Sequence, residues 1–402
     1  MAKNEHGLVF TAAKIGDVEI PNRLVRSATY ECRATEDGFI TDDLIKVYEA
    51  LARGGVGLTI TGMSYIREDG CQLPKMLGSY SDDHIEGLSQ IAGRYHDIIT
   101  ENGTHSKIFL QVGHAGRQIS FGGYTGEAIS SSPIEEKIHK RTPRALTVEE
   151  IAEIATCFGE ASRRAKIAGF DGVQFHGAHG YLITQFYSPF MNKRTDNYGS
   201  TPENRMKFVI ELLKGSRKRV GNHFPICLKM NGSDRIKGGL DVSEAAYLAT
   251  LLAGEGFDAL EISSYIWEAG LQEKLVSLPP ESPRKIRERN LEAFNLDLAI
   301  EIKGALSKKK NIPVILVGGL YRFETIRTIL ETTPIEFCAL SRPLISRPDL
   351  PNLWRNGTEF PEADCIHCNL CTKDFLDHGV HCKGVRCINK ERMKVKPQKS
   401  FA

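Results

Sequence analysis

Apolar positions along this chain fall into two rhythms. Eight short, nearly unbroken apolar runs recur: 23–28 (RLVRSA), 57–62 (GLTITG), 107–112 (KIFLQV), 172–177 (GVQFHG), 225–230 (PICLKM), 259–264 (ALEISS), 314–319 (VILVGG) and 337–342 (FCALSR). Runs with no polar face are what strands buried on both sides of a parallel sheet require. Between them the pattern turns helical. Segment 147–169 opens on a capping box, Thr147 with Glu150, and closes at Gly169. Segment 201–220 puts Thr201 at its cap and Pro202 at its first helical position. Segment 241–256 offers Ser243 as cap and Gly254 or Gly256 as stop.

Eight strands alternating with helices predict an α/β chain folded as a (β/α)8 barrel. An open doubly wound sheet fits less well, because no Gly-x-Gly-x-x-Gly follows an early strand. Residues 10–22 (FTAAKIGDVEIPN) read as a small hairpin that closes the barrel floor. The intervals 63–106, 113–171 and 265–313 are long, and in a barrel such length builds the active-site rim. Within them, Gly- and Ser-rich 113–146 reads as a folded rim or lid. The expected organisation is a barrel over 1–355 and a short cysteine-rich segment over 356–402.

At 402 residues there is room for a full barrel. A formal net charge of +2 gives no electrostatic case for nucleic acid or for a membrane surface. No 18-residue apolar run exists, and the first residues (MAKNEHGLVF) lack the apolar core of a signal peptide, so a cytoplasmic protein is expected.

The fourth run ends in His176 and His179, with Tyr181 two residues on. Strand ends at the C-terminal face are where barrel enzymes do chemistry. Two neutral imidazoles can direct N–H donors at one oxygen, and a phenol beside them can supply a proton. Spacing alone leaves a structural pair and a metal pair open as well.

The string 176–205 (HGAHGYLITQFYSPFMNKRTDNYGSTPENR) closely resembles the old yellow enzyme family of FMN-dependent ene reductases. The resemblance runs over about residues 8–355, through 20–29 (IPNRLVRSAT), 110–117 (LQVGHAGR), 314–319 and 339–350 (ALSRPLISRPDL). It implies that His176 and His179 bind the substrate's activating oxygen and that Tyr181 is the proton donor. It places Gln111 on the flavin pyrimidine edge and Lys229 beside flavin N1 and O2, where a cation stabilises the anionic reduced ring. Gly318, Gly319, Ser341 and Arg342 match the phosphate cradle, and Ser27, Ala28, Thr29 and Gly62 the flavin face and edge. One departure is Ala28, where much of the family has Pro after the serine. It leaves open whether Thr29 or Tyr30 tunes the flavin from that strand.

Five of the ten cysteines crowd into the last stretch: Cys365, Cys368, Cys371, Cys382 and Cys387. Two separated Cys-x-x-Cys pairs would suggest zinc. Three cysteines at successive x2 intervals followed by Cys382 resemble ferredoxin ligation of a [4Fe–4S] cluster. They also resemble the iron–sulfur branch of the same family, which includes 2,4-dienoyl-CoA reductase and trimethylamine dehydrogenase. Cys382 is the expected fourth ligand, Cys387 the reserve, and zinc the alternative metal. Members of that branch continue into nucleotide-binding domains. This chain ends 20 residues after Cys382, so it reads as truncated after the cysteine segment, with a cluster wired to a separate electron-transfer partner or holding the tail.

The expected function is hydride transfer from NADH or NADPH, through FMN, to the activated C=C of an enone or enoyl thioester, in a homo-oligomer. The alternative is an amine dehydrogenase or electron-transfer subunit. By resemblance, the amine dehydrogenases replace the first histidine with tyrosine, so His176 counts against that reading.

Overall fold

The computed structural model describes residues 6–100, 103–119, 122–138, 140–272, 286–287, 289–357, 362–372 and 375–382. Eight parallel strands close into a barrel: β1 Leu24–Arg26, β2 Leu58–Ile60, β3 Lys107–Gly113, β4 Gly172–Gly177, β5 Ile226–Asn231, β6 Ala259–Ser263, β7 Val314–Val317 and β8 Phe337–Leu340. Each pairs with its neighbours in chain order, β8 pairs β1, and β2 pairs β3 to complete the ring. All eight apolar runs are therefore barrel strands.

Alternation along the strands explains why the runs lack a polar face. Val173, Phe175, Leu228, Met230, Leu260 and Ile262 join the large cluster shared with the surrounding helices. Val25, Leu58, Ile60, Phe109, Cys227, Ala259, Ile315, Phe337 and Ala339 form a second cluster. They are the alternate residues, so they fill the bore. Burying each large aliphatic or aromatic side chain contributes roughly 1.5–3 kcal/mol. Strands Ala13–Ile15 and Val18–Ile20 form the expected antiparallel hairpin. Ile15 and Ile20 are fully buried in the bore cluster, so the hairpin plugs its lower end.

Helix Val148–Ile167 has the predicted capping box, Thr147 with Glu150. Helix Pro202–Val220 is capped by Thr201, which accepts the Asn204 N–H. The third cap differs from expectation. Asp241, not Ser243, caps helix Val242–Glu255, accepting the Glu244 N–H at 2.9 Å while the Ser243 hydroxyl donates to the same carboxylate oxygen. A carboxylate makes a charge-assisted cap that also suits the helix dipole, and Ser243 lies one residue inside the first turn. Gly256, in left-handed backbone at φ 115°, ends it.

The described parts of the long intervals add short elements next to the strand ends. Ser64–Tyr65 extends the sheet beside β3, and Ile129–Ser130 pairs with Arg144–Ala145, so the described part of 113–146 is folded. Short helix Trp267–Gln272 follows β6. The cysteine segment is tied back onto the barrel: Ala363 N–H donates to Tyr321 O, and Val380 N–H to Glu31 O, each at 2.8 Å. Cys387 lies outside the described residues. Among the described residues no helix is long and apolar enough to cross a membrane.

Candidate active site

The bore changes character towards the C-terminal strand ends. There the alternation presents Gln111 on β3, Gln174 and His176 on β4, Lys229 and Asn231 on β5, and Glu261 and Ser263 on β6, with Ser27 just past β1. Above them opens a cavity of about 460 Å³. Ala28, Thr29, Gln111, His176, His179, Tyr181, Lys229, Gly318, Gly319, Ser341 and Arg342 all line it. So does Tyr30, the other residue singled out on the first strand.

Ser27 and Gly62, expected on the flavin face and edge, are not among the lining residues. Ser27 is fully buried beneath the wall, its hydroxyl bonded to Glu261 and Lys229. Gly62 is packed behind it. A Cβ there would meet Glu31 Oε2 at 2.3 Å and Thr29 O at 2.7 Å, so the position needs glycine for close packing.

His176 and His179 stand with ring centroids 5.4 Å apart, and Tyr181 is 4.5 Å from His176. His179 adopts left-handed backbone, φ 64°, followed by Gly180 at φ 82°. This turn lifts the chain off β4, and histidine tolerates it better than most residues. The His179 N–H donates to Asn231 Oδ1 at 3.2 Å, and its Nε2 lies 2.7 Å from Ser263 Oγ. His176 Nδ1 is buried without a hydrogen-bond partner. Burial, with the nearby Lys229 charge, holds both imidazoles well below the usual histidine range, so both are neutral near pH 7. The Tyr181 hydroxyl donates to Gln72 Oε1 at 2.8 Å.

A buried polar relay underlies the wall. Gln111 Nε2 donates to Gln174 Oε1 at 2.7 Å, and Gln174 Nε2 to Glu261 Oε2 at 2.7 Å. Glu261 Oε1 receives Lys229 Nζ at 3.0 Å, and Lys229 also reaches Ser27 Oγ at 2.8 Å. Gln174 and Glu261 are fully buried, and neither stood out in the sequence; a lone Gln or Glu inside an apolar run is the signal that marks them. Gln72, Asn231 and Ser263 had no such signal.

At the other end, Gly318 and Gly319 take φ 143° and 72°. A Cβ on Gly319 would lie 2.7 Å from Leu291 O, so backbone forms the wall here. Arg342 is held by Asn369 Oδ1. Burial lowers its pKa, opposed by the nearby Cys365, Cys371 and Cys368. A bare-backbone cradle, the cations Lys229 and Arg342 and an unpaired imidazole nitrogen lining one cavity fit FMN, and the volume is in the range of sites for such ligands.

The cysteine segment borders this cavity. Cys371, His367 and Asn369 line it. Cys365, Cys368, Cys371 and Cys382 are all free thiols. Burial pushes Cys365 up to about 11, with Arg342 opposing and Cys382 and Cys371 adding to the rise. Cys371 in turn feels Cys382 and Cys368, so the four thiols are linked pairwise through electrostatic contact. Among the described residues no group of three or more His, Cys, Asp or Glu side chains is placed to hold a metal ion. Four thiols are chemically the donor set of a cubane cluster, and equally of a zinc ion. His367 is buried against Tyr321, with its pKa lowered to about 3 by burial and by Arg342 and Arg287.

Residues 8–359 match the family model described as the NADH:flavin oxidoreductase / NADH oxidase family. The chain is 35% identical over 366 residues to an NADH oxidase of Thermoanaerobacter brockii, covering 90% of this chain and 53% of that protein. It is 31% identical over 395 residues to a cinnamate reductase of Clostridium sporogenes, covering 91% and 55%. The chain thus spans about half the length of these relatives. A solved 2-naphthoyl-CoA reductase, in complex with 2-naphthoyl-CoA, has the same fold, with a TM-score of 0.77 at 24% identity, over 91% of this chain and 54% of that one.

Proposed function

The chain belongs to the NADH:flavin oxidoreductase / NADH oxidase family, and on that premise we propose that it is an FMN-dependent reductase of activated C=C bonds, with NADH or NADPH as electron source. Its substrate class is an α,β-unsaturated carbonyl compound or enoyl thioester. The observation that carries this reading is the neutral pair His176 and His179 with Tyr181 beside it on one cavity wall. The relatives named NADH oxidase and cinnamate reductase support the donor and the unsaturated acceptor.

Bound FMN supplies a two-electron hydride carrier. The residues supply the rest. Lys229 and Gln111 hold the pyrimidine end, and Gly318, Gly319, Ser341 and Arg342 hold the phosphate. His176 and His179 bind the carbonyl oxygen, and as neutral donors they favour negative charge growing there. Ser263 and Asn231 fix the His179 ring and backbone. Tyr181 holds the proton for the α-carbon, with Gln72 orienting its hydroxyl. Anaerobically purified protein should release FMN on denaturation, and its reduced form should be reoxidised by an enone. Protein that takes up no FMN on reconstitution would overturn the reading.

The proposal extends to a [4Fe–4S] cluster on Cys365, Cys368, Cys371 and Cys382. The triple spacing supports it, as does the position of Cys371 on the wall of the cavity proposed for FMN, and such a cluster would pass electrons between the flavin and a protein partner. Iron and sulfide analysis of anaerobic protein tests it, and stoichiometric zinc without iron would refute it.

A further inference from the structure

We infer that Glu261 is a positioning residue for the flavin: it cancels the Lys229 charge and sets the hydrogen-bond polarity of the Gln174–Gln111 relay, so that Gln111 offers its carbonyl oxygen to an imide N–H. The inference rests on the FMN reading above and goes beyond it, because it concerns a residue that does not touch the cavity.

Hydrogen-bond direction fixes which way each amide sits. An ionised carboxylate only accepts. Glu261 Oε2 takes Gln174 Nε2, so Gln174 has its Oε1 left for Gln111. Gln111 fills that acceptor with Nε2, and its own Oε1 remains for the cavity it lines. A single buried amide could sit either way round. Two amides in series behind a carboxylate can sit only one way, because the far end has no donor to give.

The same carboxylate works on charge. Glu261 Oε1 receives both Lys229 Nζ and the Ser27 hydroxyl, and Glu261 is fully buried. Lys229 therefore spends two of its three N–H bonds on Glu261 and Ser27 and keeps one for a ligand. The wall presents one cationic donor and one carbonyl acceptor with little net charge. That is the complement of an imide, with a carbonyl oxygen beside an N–H. Cancelling the charge also limits how strongly the site favours an anion on the bound ring.

The test separates the two roles. Apoprotein is titrated with FMN and with N3-methyl-FMN, which has no imide N–H, and the holoprotein with sulfite, whose flavin adduct is anionic. Glu261→Gln should bind sulfite roughly tenfold or more tightly, because a buried cation is left uncompensated. Its preference for FMN over the N3-methyl analogue should shrink by roughly tenfold, the worth of one hydrogen bond. Gln174→Met cuts the relay but keeps the ion pair. It should lose the same preference with sulfite affinity unchanged, and it decides the relay if Glu261→Gln does not fold. Lys229→Met with Glu261→Gln should abolish the gain in sulfite affinity. Unchanged sulfite affinity in Glu261→Gln, or unchanged analogue preference in Gln174→Met, would overturn the assignment. Failure of the wild-type apoprotein to bind FMN would instead overturn the functional reading on which it rests.

Discussion

The lower and upper halves of one barrel bore are built on opposite principles. Below, Ile15, Ile20, Leu58, Ile60, Phe109, Ile315 and Phe337 fill space without a single hydrogen bond between side chains. Above, Ser27, Gln111, Gln174, Lys229 and Glu261 fill an equally buried layer in which each side chain bonds to another. Apolar contacts are many, weak and independent of direction, so the lower half degrades by degrees. The upper layer depends on complete pairing, since a single buried group left unpaired costs more than its bond contributed. A cofactor site needs the second kind of order, standing on the first.

The largest effect should come from breaking the pair. Lys229→Met leaves the buried Glu261 carboxylate without its cation, held only by the Ser27 hydroxyl and the Gln174 amide, and should cost about 3–5 kcal/mol in urea unfolding. Adding Glu261→Gln, which removes the charge but keeps an acceptor for the buried donors, should restore most of that. Phe109→Ala below should cost a similar 3–5 kcal/mol, with no second substitution that repairs it by removing a partner. If the double variant at 229 and 261 were no more stable than Lys229→Met, the contrast between the halves would fail.

Next in size is a catalytic effect confined to the top. His176→Ala should slow oxidation of the reduced enzyme by an enone roughly 10²–10³-fold, as losing an oxyanion donor does. Reduction by the nicotinamide cofactor should suffer much less, which rapid-mixing absorbance would show.

Acid should loosen the upper half first. His176 and His179 titrate well below the ordinary histidine value in the folded protein. Above about pH 6.5 both states are neutral there and nothing is lost. Below it the unfolded chain takes up protons that the folded chain refuses, so stability falls with pH by up to about 1.4 kcal/mol per unit for each histidine. Comparing unfolding of wild type with His176→Asn/His179→Asn between pH 5 and 7 cancels the carboxylate contributions. Equal slopes would mean that the imidazoles charge freely in the fold.

The smallest effect belongs to the lower bore. Ile315→Val should cost about 0.5–1.5 kcal/mol and leave FMN content and enone turnover unchanged. A loss of FMN from that variant would show the two halves to be coupled.

Most of the fold was legible because its signal is repetitive. Every strand carries its own run, and the capping box at Thr147 and the cap at Thr201 need only neighbouring residues. The error at Ser243 arose where two capping side chains lie two residues apart, and only the backbone geometry chooses Asp241. Much of the site was legible through the strand-end residues and the resemblance they carry. Ser27 and Gly62 fall outside the cavity lining, because adjacency to a lining residue does not say which way a side chain faces. Gln72 escaped notice because it comes from the rim, 109 positions from the tyrosine it meets.

By itself the sequence determined the barrel, the plugging hairpin and the strand ends that carry His176, Gln111, Lys229 and Arg342, since these follow from patterns local to each segment. Only the tertiary structure decided that Glu261 compensates Lys229 from 32 positions away. It also decided that Gln174 links β3 to β6 and that the cysteine segment folds back against Arg342. The physical reason is common to all three. Burial and pairing depend on which strands become neighbours when the ring closes, and a polar residue's role inside a barrel is set by the partner across the bore.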